Sequence, residues 1–67
     1  MEEKLIDAIR TKYQYEMKSS VARIGSELNN PSLNSINVID ALVEEFYKAK
    51  EKASYFEAII KNLNGED

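Results

Sequence analysis

Few residues in this chain are equipped for chemistry. Its 67 residues include no Cys, no His and no Trp. The common nucleophile–base pairs and the ordinary ligands of zinc and iron–sulfur clusters are therefore missing from the start. The serines Ser19, Ser20, Ser26, Ser32, Ser35 and Ser54 stand in no glycine-rich elbow and have no base at a recognisable spacing. A dimetal bundle needs Glu-x-x-His pairs, which do not occur. Glu44, Glu45, Glu51 and Glu57 read as carboxylates on solvated helix faces. The expectation is a non-enzyme, with no catalytic, metal or cofactor-binding residue and no cofactor.

The remaining chemistry-bearing group is basic and aromatic. Lys48, Lys50 and Lys52 alternate between Tyr47 and Tyr55, and lysines beside stacking aromatics are one way to hold a single strand of nucleic acid. Glu45, Glu51 and Glu57 interleave with them, however, and the chain as a whole carries a net charge of −3. Phosphate binding normally shows a concentrated basic face. Nucleic-acid binding is thus the alternative reading, behind recognition of a protein.

These residues are carried by two helical segments. The single Pro lies in Asn29-Asn30-Pro31-Ser32-Leu33-Asn34-Ser35, where Asn and Ser side chains compete for backbone hydrogen bonds and favour a turn. Pro also disfavours helix at the residue before it. The spacing predicts helix 1 over about 2–28, a turn over 29–35 and helix 2 over about 36–63, within one domain spanning 1–67. Gly25 falls inside helix 1, where glycine costs about 1 kcal/mol relative to Ala.

In helix 1, Ile6, Ile9, Tyr13, Met17, Val21, Ile24 and Leu28 recur at steps of three and four and form an apolar stripe. Helix 2 is more regular: Ile39, Leu42, Phe46, Ala49, Ala53, Phe56, Ile60 and Leu63 alternate three and four strictly, the pattern of a coiled-coil seam. Asn37 or Ser35 is expected to cap its start, and Asn64-Gly65 to close its end. Charges four apart add local support in Lys12 with Glu16, Arg23 with Glu27, Glu44 with Lys48, and Glu57 with Lys61.

A short turn between long helices makes them antiparallel neighbours. With the fold centred near Ser32 and Leu33, Ile60 meets Ile6, Phe56 meets Ile9, Ala53 meets Tyr13, Ala49 meets Met17, Phe46 meets Ser20, and Leu42 meets Ile24. Large side chains then face small ones in the middle layers, as interdigitated packing requires. Ala53→Phe should overpack this seam by roughly 1 to 3 kcal/mol.

The seam leaves apolar residues over. Leu5, Tyr15, Ile36, Val38, Val43, Tyr47, Tyr55 and Ile59 lie off it, and 43% of the chain is hydrophobic. A chain of this size buries only about 60% of its unfolded surface, so a core alone is marginal. Small domains then rely on disulfides, a metal or a partner. Without Cys or His, the partner is the expectation. The predicted fold class is all-α: an antiparallel two-helix hairpin dimerising into a four-helix bundle. Val43, Tyr47, Tyr55 and Ile59 are the candidate interface residues.

No run approaches the roughly 20 apolar residues that span a bilayer. The acidic opening Met1-Glu2-Glu3 lacks the basic start and apolar stretch of a signal peptide. A cytoplasmic chain with no membrane partner is expected.

The string Leu28-Asn29-Asn30-Pro31 follows a helix carrying Val21-Ala22-Arg23-Ile24. It precedes Val38-Ile39-Asp40-Ala41-Leu42 and an Ala/Lys/Glu-rich stretch from Lys48 to Ala53. This arrangement, covering roughly the middle half of the chain, resembles short helical-hairpin proteins of large tailed bacteriophages. The sequence departs from that pattern after the Pro, where Ser32-Leu33-Asn34-Ser35 stands in place of glycine-bearing loop residues. That family has no assigned activity. The resemblance therefore implies architecture and a phage origin, hence the host cytoplasm, and carries over no functional residues. For an accessory protein of this class it implies binding to a host or phage protein.

Overall fold

The computed structural model describes residues 2–65. It contains two helices, α1 (Glu3–Asn29) and α2 (Ser35–Leu63), folded against each other as a hairpin with no strand among the described residues. Glu2 caps α1: its carboxylate accepts from the Lys4 N–H at 2.8 Å. That bond satisfies one of the donors that a helix start leaves unpaired. Asn30, the residue before Pro31, leaves the helix at φ −141° and ψ 68°, outside the helical geometry that a following proline disfavours.

Asn29 and Ser35, both expected in the turn, are helical. The turn shortens because Ser35 does two jobs at once. Its hydroxyl accepts from the Ser32 N–H at 2.7 Å and donates to the Glu27 carboxylate at 2.8 Å, tying the start of α2 to the last turns of α1. Neither Ser35 nor Asn37 caps α2. The cap position falls to Asn34, whose carbonyl accepts from the Val38 N–H at 3.0 Å and whose side chain accepts from Asn37 instead. At the other end Gly65 has a φ of 77°, the left-handed conformation that glycine adopts without steric cost just past a helix.

The α2 seam faces α1 over all but its last member: Leu42 and Ala49 are buried, Ile39, Phe46, Ala53, Phe56 and Ile60 are half-buried, and Leu63, in the final turn of α2, is exposed. The α1 stripe needs correction. Ile6 is buried and Ile9, Tyr13, Met17 and Ile24 are half-buried, but Val21 and Leu28 are exposed, and Ser20 takes the buried place. Two successive steps of four carry Val21 roughly 80° round the helix from Tyr13, whereas seven residues carry Ser20 only about 20°. The smaller rotation keeps Ser20 facing α2, and its hydroxyl is satisfied by donating to the Glu16 carbonyl at 3.0 Å.

Cross-helix contacts fix the antiparallel register within one helical turn of the expectation. Arg10 pairs with Glu57, Arg23 pairs with Glu45, and the Tyr13 and Phe56 rings meet edge to face with centroids 6.2 Å apart. Local charge pairs yield where the other helix competes. Lys12–Glu16 and Glu44–Lys48 form at 3.1 and 3.8 Å. Arg23 instead turns from Glu27 to Glu45, and Glu57 from Lys61 to Arg10.

The hairpin measures 50 × 20 × 11 Å with a radius of gyration of 15.5 Å, where a compact chain of this length would have about 11 Å. Its thickness is that of a single helix. Among the described residues only Ile6, Leu42 and Ala49 form a buried apolar core, so both broad sides of the two-helix layer are open.

Candidate functional site

The two open sides differ, and the four candidate interface residues divide between them. Val43, Lys50 and Glu57 recur at seven-residue intervals on one flank of α2; Glu45, Lys52 and Ile59 recur on the other. Residues seven apart share a helix face. Val43 therefore lies on the side where Glu57 reaches Arg10, and Ile59 on the side where Glu45 reaches Arg23. Tyr47 is one turn beyond Val43, and Tyr55 one turn before Ile59. All four are half-exposed or more, from 49% for Tyr47 to 65% for Tyr55. They do not make one site.

The first side, bearing Val43 and Tyr47, is apolar toward the turn. A shallow groove of about 290 Å³ is lined by Met17, Lys18, Val21, Ala22 and Phe46. Val43 and Tyr47 adjoin Phe46 on α2, while Leu28 and Ile36 extend the exposed apolar area toward the turn. Toward the open end, a second groove of about 190 Å³ lies among Arg10, Tyr13, Met17, Ala53 and Glu57. Glu57 is held below the usual carboxylate range there, chiefly by its hydrogen bonds from Arg10; desolvation opposes this, and the guanidinium charge adds a lesser lowering. The Glu51 carboxylate, as hydrogen-bond acceptor and then as a charge, pushes the Tyr47 phenol up. A phenol so held stays neutral at physiological pH.

The second side is polar at its centre. A groove of about 340 Å³ is lined by Glu16, Arg23, Glu45, Lys48 and Lys52 together with Tyr15, Ser19, Ser20 and Ala49. Apart from Tyr15 in this groove, its exposed apolar residues lie toward the open end, as Leu5, Tyr55, Ile59 and Leu63.

The three lysines of the alternative reading do not act together. Lys48 and Lys52 are one turn apart and share the second-side groove, whereas Lys50 lies on the Val43 flank. Lys48 is paired with Glu44 and its neighbour Arg23 with Glu45, so much of the positive charge is already spent. Among the described residues, no group of three or more acidic side chains is placed to hold a metal ion, and no helix is long and apolar enough to cross a membrane.

Val21 and Leu28 are surface residues that the sequence pattern assigned to the seam. The signal that could have separated them is the double step of four from Tyr13 to Val21, too much rotation for one narrow contact line. The chain matches no family model, no curated protein and no solved structure.

Proposed function

We propose that this chain is a small non-enzymatic protein–protein interaction module that self-associates, two hairpins forming an antiparallel four-helix bundle, and binds a further protein through the helix faces left outside. The observation that carries this reading is the 11 Å thickness of the hairpin together with its three-residue apolar core. A layer one helix thick cannot enclose its own apolar residues, and extended apolar surface usually marks an interaction site. The mechanism is occlusion or scaffolding of the bound protein in the cytoplasm. The Leu-Asn-Asn-Pro turn supports a phage-encoded accessory protein acting on a host or phage target. Sedimentation at micromolar concentration tests the self-association: a dimer is expected, and a stable, well-folded monomer would refute it.

A second reading is accessory nucleic-acid binding by the Lys48, Lys50 and Lys52 stretch, resting on Lys48 and Lys52 since Lys50 lies on the other flank. Its support is the second-side groove, where Lys48 and Lys52 stand beside Arg23 and Tyr15. A mobility-shift titration at low salt separates the two readings. Sub-micromolar binding abolished by replacing the three lysines with Glu would favour nucleic acid; little binding favours the protein module. A structural subunit of a larger assembly is the third reading, marked by self-association beyond the dimer.

A further inference from the structure

We infer that the turn-side half of the first side, centred on Val21, Val43 and Phe46, is where a second copy of this chain docks, patch against patch, and that the Arg23–Glu45 side faces outward. The inference rests on the self-association reading and assigns its surface.

The area supports a second copy as the occupant. A compact monomer of 7.7 kDa would expose about 4,300 Å². This chain exposes 5453 Å², an excess on the order of 1,100 Å², which exceeds the roughly 800 Å² each partner hides in a standard interface. One broad side covered by an equal area is what the excess calls for. A second copy has the same excess, and a twofold axis lets one self-complementary patch satisfy both chains.

Desolvation decides between the sides. The groove of about 290 Å³ presents Met17, Val21, Ala22 and Phe46, with Lys18 as its single charged residue. A lysine at a rim can bury its stem and keep its ammonium in water. The Arg10–Glu57 pair lies toward the open end, away from this patch. Across the second side, Glu16, Arg23, Glu45, Lys48 and Lys52 line the central groove. Taking such groups out of water costs more than their mutual attraction returns. Tyr55 and Ile59, at the open end of that side, remain free for a different protein.

The test compares matched substitutions on the two sides by sedimentation over a concentration series. Val43→Glu should raise the dimer dissociation constant by roughly 30-fold or more, the effect of removing an interface hot spot, while Ile59→Glu leaves it unchanged. A wild-type chain that stays monomeric overturns both the self-association reading and this one. A wild-type dimer that Ile59→Glu dissociates, alone or together with Val43→Glu, overturns the assignment of the side and leaves self-association standing. Because the chain has no cysteine, Val43→Cys and Ile59→Cys each add a unique thiol with little demand on folding. Labelling of Val43→Cys should slow as concentration rises and that of Ile59→Cys should not; equal or reversed protection overturns the proposal.

Discussion

Arg10 and Glu57, 47 residues apart, join the two helices by a two-pronged ion pair: Nε donates to one carboxylate oxygen at 2.7 Å and Nη2 to the other at 2.8 Å. Asp7 approaches the same guanidinium at 3.5 Å. The planar fork matches the carboxylate, which makes this arrangement more directional than a lysine pair. It lies toward the open end of the hairpin, where the covalent turn exerts least hold.

The pair gives stability a pH dependence of defined sign. Glu57 titrates lower in the folded chain than in the unfolded one, so its contribution is complete above the ordinary carboxylate value of about 4.3 and is lost as pH falls through the folded value. Glu57→Gln should melt below wild type near neutral pH, and the two midpoints should converge on acidification below about pH 4. A gap that persisted unchanged in acid would assign the difference to packing.

Gly25 lies inside α1, and a Cβ built there meets nothing within 4 Å. Gly25→Ala should stabilise the hairpin by about 1 kcal/mol, since alanine loses less backbone freedom on folding. Urea denaturation followed by circular dichroism reads this directly. A loss of stability would mean that another surface lies against the glycine in solution.

Ser35 holds the turn through both lone pair and proton, accepting from the Ser32 N–H and donating to Glu27. Ser35→Ala leaves that N–H and carboxylate without their partner and should cost about 1 kcal/mol. Ser35→Thr, which keeps the hydroxyl, should lose less in the same denaturation experiment. Equal losses would show that the hydroxyl is not the source.

Ala49 is 1% exposed, so Ala49→Phe should overpack the interface between helices and cost roughly 1 to 3 kcal/mol. Ala53, chosen from the sequence as the overpacking site, is half-buried beside a groove of about 190 Å³. Ala53→Phe should therefore cost less than Ala49→Phe, and the reverse order in unfolding free energies would show that the groove is not available to the larger ring.

The number of helices, the position of the break and the seam of α2 were legible because each is encoded over a few neighbouring residues. Pro31 and its Asn and Ser flanks interrupt the helix locally, and the strict alternation from Ile39 to Leu63 leaves one line on which α2 can pack. The thin core was legible too, as apolar residues in excess of what one contact line between two helices can cover.

Only the tertiary structure decided what each flank faces. Ser20 and Val21 are neighbours, and which of them meets α2 turns on a rotation of α1 that a looser pattern of threes and fours does not define; the buried serine displaced the valine to the surface. Arg23 and Glu57 each had a partner one turn away in sequence and found another across the hairpin. Exposed ion pairs are worth little individually, so the nearest opposing helix decides among them. The sequence by itself determined that Val43 and Tyr47 lie on one flank of the α2 seam and Tyr55 and Ile59 on the other, because their heptad positions fix their rotation about it. The docking of α1 decided what stands beside each flank, Arg10 on the first and Arg23 on the second, because only packing sets the rotation of α1.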